Sequence, residues 1–251
     1  MLFGFDAATL GIIFVAVIIG GIFKGIVGLG LPIVSIAILL NFLPPTTVLA
    51  IVVVPIVVTN FWQAVRAGFD LAIVRRFWLM IFTFLLFFIS TTYFVVGFDP
   101  RVMFGILGTC VTIFAASNLV RPQAHPLSPQ TERWAGPLAG ALGGLLGGVS
   151  AVWGPPMIMY FVLIQLPKDI FIRSIGLIWL VGSVPLVLGY WSNGILNTQT
   201  LPLSIYACLP GLIGLWVGGR LRDHINQETF RKVMLVVLFL IGLNLIRRAV
   251  F

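Results

Sequence analysis

Residues 21–32 read Gly-Ile-Phe-Lys-Gly-Ile-Val-Gly-Leu-Gly-Leu-Pro and interrupt an apolar segment near the N-terminus. A related interruption, Gly-Leu-Leu-Gly-Gly-Val-Ser-Ala-Val-Trp-Gly-Pro-Pro, occupies residues 144–156, about half the chain later. Paired apolar segments broken by glycine and proline, in corresponding halves of a chain, are typical of a transporter's binding site. Lys24, which lies within the first interruption, indicates that the bound ion is negative.

The composition is that of an integral membrane protein. Of the 251 residues, 60% are hydrophobic and only 9% are charged, whereas soluble domains have about a quarter of their residues charged. A chain with so little polar surface cannot form one dry soluble core. The net charge of +8 comes from basic residues that lie mostly between apolar segments, which indicates orientation in a bilayer and no nucleic-acid partner. We expect a multi-pass protein of the cell inner (plasma) membrane.

Apolar runs bounded by proline, glycine and charged residues divide the chain into ten segments. The segments are residues 10–27, 31–42, 46–65, 71–96, 101–120, 135–149, 155–165, 170–191, 200–218 and 230–246. Helices are expected, because strands that span a membrane would alternate apolar and polar residues. The second and seventh segments are too short to cross a ~30 Å hydrocarbon core, which needs about 20 residues. We predict an all-α multi-pass membrane protein in which each half has a short second helix after a Gly/Pro break.

The two halves of the chain resemble each other. Each has a short second segment, a Leu-Pro pair after it, a glycine in the following loop, and an asparagine close to a basic residue where the last segment ends. The matching positions are 43–44 with 166–167, 67–68 with 193–194, and 117–121 with 243–247. Four matches in the same order predict an internal duplication. The predicted organisation is a first transmembrane repeat (1–120), a cytoplasmic linker (121–134) and a second transmembrane repeat (135–251).

The distribution of lysine and arginine predicts the orientation of the helices. We assume that each long-plus-short pair returns to its starting side and that the loop with Arg66, Arg75 and Arg76 is cytoplasmic. Eleven of the fifteen basic residues then lie inside, three lie outside, and Lys24 lies within the membrane. The two halves are opposite in orientation, and both termini are outside. The count predicts an inverted repeat, whether the short segments are re-entrant or cross the membrane.

The sequence offers no groups for catalysis, for metal binding or for cation coupling. All seven acidic residues fall in loops or at helix ends, so no carboxylate is predicted at the midplane for sodium or proton coupling. Both histidines fall in loops, and the two cysteines form no CxxC pair. There is no HExxH, Gly-x-Ser-x-Gly or Walker motif. We therefore expect no enzymatic activity, no metal and no cofactor.

The remaining polar features suit a small anion. Lys24 lies roughly fourteen residues into the first segment, or ~20 Å at 1.5 Å per residue, where a charge needs a polar cavity or partner. The alternative is a lysine that reaches the interface along its alkyl stem. Gly28 and Gly30 allow the backbone to leave the helix, and Pro32 can start the next one, whose free N–H groups attract anions. The run 154–156 can do the same in the second half, so the two short-helix N-termini would converge near the bilayer centre.

Several polar residues near the breaks are candidates to line the site. Thr59, Asn60 and Gln63 share part of one helical face, and Ser150 flanks the second break. For each of them, a structural hydrogen bond between helices is the alternative. The predicted substrate-binding residues are Lys24, Gly28, Gly30, Pro32, Asn60, Gln63, Ser150, Gly154 and Pro155.

These motifs resemble the TauE/SafE family of sulfite exporters and related sulfur-compound permeases. The resemblance is carried by the pattern Gly-x-x-x-Gly-x-x-Gly-x-Gly-x-Pro at residues 21–32 and by Gly140-x-x-x-Gly144 running to residues 154–156. Length, the two-half layout and the central polar linker agree with it. The resemblance implies transport of sulfite, of an organosulfonate such as sulfoacetate, or of a related small anion across the cytoplasmic membrane. The residues by themselves imply only a small anion.

Three functions fit the sequence to different degrees. The first is a secondary transporter that works by alternating access around a midplane site between the repeats. Export is favoured because a negative charge that leaves a cell with a negative interior gains about 2.3 kcal/mol per 100 mV of membrane potential. The alternative is a small-anion channel of the same architecture, which non-saturating conductance would distinguish from saturable, counterflow-stimulated flux. The third is a membrane-embedded enzyme, for which the sequence lacks a catalytic set.

Overall fold

The computed structural model describes residues 6–66, 68, 70–94, 100–120, 127–150 and 153–250. These residues form ten α-helices and no strand, which confirms the all-α prediction. The helices are α1 (Ala7–Val27), α2 (Leu31–Leu39), α3 (Pro45–Arg66), α4 (Leu71–Phe94), α5 (Pro100–Val120), α6 (Pro129–Ser150), α7 (Gly154–Leu163), α8 (Lys168–Ser192), α9 (Leu201–Asp223) and α10 (Gln227–Val250).

The lengths and composition of the helices make this a multi-pass membrane protein. Among the described residues, six helices are long and apolar enough to cross a bilayer, namely α1, α3, α4, α8, α9 and α10. The helices α2 and α7 contain nine and ten residues. At 1.5 Å per residue each is about 15 Å long, roughly half of a ~30 Å hydrocarbon core. The predicted short second helix of each half is therefore confirmed.

The two predicted breaks are built differently. In the first, Gly28 has φ +88° and donates its backbone N–H to the carbonyl of Lys24 at 2.6 Å, which ends α1 with a left-handed cap. Gly30 has φ +102° and precedes α2, whose first turn contains Pro32. In the second, Gly154 is itself the first residue of α7 and Pro155 follows it in the first turn. Left-handed glycines thus shape the first break, whereas Gly154 is already helical.

The helix α6 begins at Pro129, six residues before its predicted start and inside the predicted linker. Ser128 precedes it, and its Oγ accepts a hydrogen bond from the N–H of Thr131 at 3.2 Å. A serine cap followed by proline at the first helical position is a strong start signal, which the reading of apolar runs overlooked. Residues 121–126 of the predicted linker lie outside the described residues.

The chain packs as two compact units, and each takes helices from both sequence halves. Unit 1 comprises Met1–Phe69 and Ile172–Asn226, and it contains α1, α2, α3, most of α8, and α9. Unit 2 comprises Asp70–Phe171 and Gln227–Phe251, and it contains α4 to α7 and α10. The boundaries predicted for the two transmembrane repeats remain a prediction.

In unit 1, the helix α1 lies along α9 with glycine on both sides of the contact. A Cβ added to Gly21 would lie 2.7 Å from the carbonyl oxygen of Gly211, and one added to Gly25 would lie 2.5 Å from that of Leu215. A Cβ added to Gly214 or Gly218 of α9 would lie even closer to backbone carbonyl oxygens of α1. Small residues at such spacing allow two membrane helices to approach closely. This glycine seam, formed by Gly21, Gly25, Gly214 and Gly218, holds the last turn of α1 against α9.

A second contact in unit 1 aligns α3 with α9. Pro55 lies inside α3 and has no N–H, so it cannot pair with the carbonyl of Ile51. Ser204 of α9 donates to that carbonyl at 3.1 Å and accepts from the N–H of Val54 at 3.2 Å. In a membrane, freed backbone groups must find such partners. The hydroxyl therefore holds α3 in a defined position on α9.

In unit 2, the helix α6 lies along α4 in the same manner. A Cβ added to Gly144 would lie 2.5 Å from the carbonyl oxygen of Phe84, and Gly140 lies against the backbone of Met80. Gly140 and Gly144 thus allow α6 and α4 to pack closely. Near the end of α6, the ring of Trp153 packs against the ring of Phe88, with centroids 5.8 Å apart.

The packing within the two units favours an internal duplication. When α6 to α10 are taken as counterparts of α1 to α5, the α1–α9 contact corresponds to α6–α4, and α1–α2 corresponds to α6–α7. Gly68 and Gly194 also correspond, with φ of +83° and +70°. Each donates its N–H to the carbonyl three residues earlier, at 3.1 Å. The opposite orientation of the two repeats remains a prediction.

Candidate functional site

The side chain of Lys24 is buried in unit 1. It lies in the last turn of α1 and is only 2% exposed. Its ammonium group donates a hydrogen bond to the side-chain oxygen of Asn60 on α3. The lysine therefore does not extend to the surface along its alkyl stem, as the alternative interpretation required. An ammonium group held in this way needs polar surroundings, because a buried charge is costly unless it is paired or solvated.

Two amide side chains on α3 accompany Lys24. Asn60 is fully buried and Gln63 is 6% exposed, one helical turn apart. The Nε2 of Gln63 donates to the backbone carbonyl of Ile172 on α8 at 3.0 Å. Among the described residues, Nδ2 of Asn60 and Oε1 of Gln63 are buried without a hydrogen-bond partner. Thr59 differs, because its hydroxyl donates to the carbonyl of Pro55 at 2.6 Å and so has a structural role.

A cavity of about 120 Å³ opens beside these residues. Helices α1, α3, α8 and α9 all contribute to its wall, which is formed by Lys24, Gly25, Trp62, Gln63, Arg66, Ile172, Leu215, Gly219, Arg222 and Asp223. Lys24, Gln63, Ile172 and Leu215 are buried, whereas Trp62, Arg66 and Asp223 are exposed. The cavity therefore runs from a buried end at the lysine to a mouth at the last turns of α3 and α9.

The charge of the cavity wall is predominantly positive. Lys24, Arg66 and Arg222 face a single carboxylate, that of Asp223. The carboxylate is already paired with its neighbour, since Nη2 of Arg222 lies 3.1 Å from Oδ1 of Asp223. The Nε of Arg222 is buried and has no hydrogen-bond partner among the described residues. A cleft lined by one sign of charge concentrates ions of the opposite sign, so this cavity attracts anions.

The structure brings together the predicted site residues of the first half. Lys24 and Gln63 line the cavity, and Asn60 holds the lysine. A Cβ on Gly28 would lie 3.5 Å from Nε2 of Gln63, so the left-handed cap packs directly against that amide. Gly30 and Pro32 belong to the same unit but are not among the described residues that line the cavity. Their part in binding remains a prediction.

The predicted site residues of the second half belong to unit 2. Ser150 is the last residue of α6, and its side chain lies outside the described part of the structure. Gly154 and Pro155 form the start of α7, as predicted. The convergence of the two short-helix N-termini, and the binding roles of these three residues, remain predictions.

Sequence reasoning missed the arginines of the cavity. From the sequence, Arg66 and Arg222 were counted only as loop charges that set the orientation of the helices in the membrane. Both lie in the last turns of their helices, α3 and α9. The count of basic residues had already assigned them to the same side of the membrane. That shared side was the available signal that the two guanidinium groups lie at one end of the helix bundle.

A multi-pass helical protein with a cationic cavity around a buried lysine has the features expected of a membrane transporter for small anions. The comparison with known families agrees with this class. The family described as Sulfite exporter TauE/SafE matches residues 12–245, and the chain belongs to this family of membrane transporters. The resemblance predicted from the glycine motifs is therefore confirmed. No curated protein and no solved structure gave a match.

Proposed function

We propose that this protein is a secondary transporter that moves a small sulfur-containing anion, sulfite or an organosulfonate such as sulfoacetate, out of the cell. The observation that carries the proposal is the buried ammonium of Lys24 at the inner end of a cavity that also contains Arg66 and Arg222. The oxygens of a sulfur oxyanion are well suited to such donors, because hydrogen bonds between ionised groups are about twice as strong as neutral ones.

The surroundings of Lys24 lack the negative charge that a buried ammonium requires. Its hydrogen-bond partner in the described structure is the neutral amide of Asn60. The carboxylate of the cavity, Asp223, is paired with Arg222. An anion that enters the cavity would supply the missing charge, and its oxygens could also accept from the free Nδ2 of Asn60. The N-terminal N–H groups of α2, which belongs to the same unit, are proposed as further donors.

The proposed direction of transport, which is export, is supported by the position of the mouth of the cavity. It lies at the last turns of α3 and α9, which the count of basic residues assigns to the cytoplasm. On that assignment, the anion enters from the cytoplasm. Each negative charge that leaves a cell with a negative interior gains about 2.3 kcal/mol per 100 mV. Export therefore proceeds without the coupling carboxylate that the sequence lacks.

Alternating access is proposed from the origin of the cavity wall. Lys24, Gln63 and Arg66 come from the first half of the chain, whereas Leu215 and Arg222 come from the second. We propose that movements of the helices around the cavity open and close this one site, while the contacts of α9 with α1 and α3 are kept. This is the arrangement by which transporters with internal repeats expose one site to each side in turn.

Anion binding to purified protein tests the proposal. Sulfite, sulfate, sulfonates and carboxylates are compared by thermal shift, since a ligand that binds the folded state raises its stability. We expect the affinity of Lys24→Gln for anions to fall by about 10- to 100-fold or more, because a hydrogen bond to a charged group is worth about 1.5–3 kcal/mol. Lys24→Arg should keep part of it. Lys232→Gln, which removes an exposed lysine paired with Glu228, is the matched control.

Unchanged affinity in Lys24→Gln, with the protein folded, would remove the site assignment. Flux into liposomes tests the mechanism separately. Saturable uptake that is stimulated by anion on the opposite side is expected of a transporter. Conductance that does not saturate would contradict alternating access and would favour the channel.

A further inference from the structure

The two amides beside Lys24 have their orientations set by their hydrogen bonds. An ammonium group can only donate, so the atom of Asn60 that faces Lys24 is the oxygen. A backbone carbonyl can only accept, so the atom of Gln63 that lies 3.0 Å from the oxygen of Ile172 is the nitrogen. The free atoms are therefore a donor, Nδ2 of Asn60, and an acceptor, Oε1 of Gln63.

The free acceptor is the unexpected group in a cavity for anions. Gln63 lines the cavity and is 6% exposed, and its Oε1 has no partner among the described residues. A buried oxygen left without a donor costs about 1–3 kcal/mol. A dianion without a hydrogen to donate would not satisfy it, and its charge would repel the partial negative charge of the amide oxygen. The described part of the cavity wall therefore offers donors at Lys24, Arg66 and Arg222, a neutral acceptor at Gln63, and the carboxylate of Asp223, which is paired with Arg222.

We propose that the anion carries one negative charge and a hydrogen-bond donor of its own. The inference rests on the proposed transport function and specifies its substrate class. Lys24 binds the charged oxygens, and Oε1 of Gln63 accepts from an O–H or N–H group of the same molecule. Two sources have this chemistry: hydrogen sulfite, which is sulfite with one proton, and an alkanesulfonate with a terminal hydroxyl or ammonium group. Sulfoacetate, which has a carboxylate instead of a donor at neutral pH, should bind less well.

A matched pair of ligands tests the inference on the purified full chain. The ligands 2-hydroxyethanesulfonate and propane-1-sulfonate have similar size and the same charge, and they differ in a hydroxyl group against a methyl group. We expect titration calorimetry to show about tenfold tighter binding of the hydroxyl compound, the ratio that corresponds to ~1.4 kcal/mol. Gln63→Met, which has a similar length but no amide, should lose this preference. Because both ligands are measured on the same protein, the ratio is insensitive to any general weakening of the variant.

A second titration examines hydrogen sulfite. Sulfite binding is measured at two pH values on either side of its own ionisation near neutrality, with sulfate as the control. Lys24, Arg66, Arg222 and Asp223 face the cavity, and any change in their charge affects both anions. We expect sulfite to bind more tightly at the lower pH by a larger factor than sulfate. A response in this titration alone identifies hydrogen sulfite as the ligand, and a hydroxyl preference alone identifies a substituted sulfonate.

The outcomes separate this inference from the function on which it rests. If no anion binds, the proposed transport function fails. If the anions bind but the wild-type protein shows neither the hydroxyl preference nor the sulfite response, the inference is overturned and water is the donor to Gln63. A hydroxyl preference that persists unchanged in Gln63→Met would also overturn it, because the acceptor would then lie elsewhere.

Discussion

The contact between α1 and α9 makes a quantitative prediction for Gly25→Ala. An added Cβ would lie 2.5 Å from the carbonyl oxygen of Leu215, 2.6 Å from the nitrogen of Gly219 and 2.7 Å from the Cα of Gly218. All three are backbone atoms of one helix, so none can rotate away as a side chain could. The methyl group is accommodated only if α1 and α9 move apart.

The required movement sets the size of the effect. Ordinary contact begins at about 3.4 Å, so the closest pair, now at 2.5 Å, must separate by about 0.9 Å. A gap of 0.5–1 Å forfeits about a quarter to a half of the dispersion energy of the atoms concerned. Overpacking of this kind typically costs about 1–3 kcal/mol. At about 2–4 °C per kcal/mol for chains of this size, we expect the melting temperature to fall by roughly 2–12 °C.

Gly11→Ala is the matched control in the same helix. Gly11 is exposed, and an added Cβ would meet nothing within 4 Å. Alanine is favoured over glycine inside a helix by about 0.5–1 kcal/mol, so this variant should be as stable as the wild type or slightly more stable. Melting is followed in detergent by tryptophan fluorescence at one fixed scan rate, because unfolding of such proteins is often irreversible.

The comparison has a clear refuting result. If Gly25→Ala melts at or above the temperature of the wild type, α1 does not approach α9 as described. The position of Lys24 relative to Arg222 would then be wrong as well, because the same seam holds both. If Gly25→Ala is destabilised as expected, anion affinity should also fall, since Gly25 lines the cavity next to Lys24.

Two further predictions concern the mouth of the cavity and the orientation of the chain. Asp223→Asn removes the carboxylate that competes with the substrate for Arg222, so the apparent affinity for anions should rise by about 1.4- to fivefold, as for the ~0.2–1 kcal/mol of an exposed ion pair. Glu228→Gln, at an exposed carboxylate outside the cavity, should leave the affinity unchanged; an equal rise in both variants would indicate only a general charge effect. For orientation, Arg75→Cys should be labelled from the cytoplasm and Asn197→Cys from outside, in a background without the two native cysteines; labelling of both from one side would exclude the inverted topology.

The long helices were predictable from the sequence because each contains a local apolar run. The short helices α2 and α7 were predictable for a different reason, because glycine and proline mark their starts. Helix ends were harder to predict. The helix α9 continues to Asp223, five residues beyond its predicted end at Gly218, because a helix does not stop where its residues become charged. The start of α6 depends on Ser128, a cap outside the apolar run.

Only those features of the candidate site that depend on a single segment of the sequence were predictable. Lys24 stands out as a charge in an apolar segment, and the spacing of Asn60 and Gln63 places both on one face of α3. The pairing of Lys24 with α3, and the presence of Arg222 at the mouth, depend on how α9 lies against α1. Gly25 and Gly218 meet in that contact although they are far apart in the chain. One sequence shows the glycines, but it does not show which of them meet.

The internal duplication need not produce two anion sites. When Gly30 is aligned with Gly154, the counterpart of Lys24 is Gly148, so the second half carries no cation at the equivalent position. Near the end of α6, the described part of unit 2 has rings where unit 1 has a cavity: Trp153 packs against Phe84 and Phe88. Close helix packing through glycine is therefore common to both units. The cationic side chains of the cavity, Lys24, Arg66 and Arg222, belong to unit 1. On this argument, duplication supplied the architecture, and a single lysine in one copy supplied the site, so one chain is expected to bind one anion.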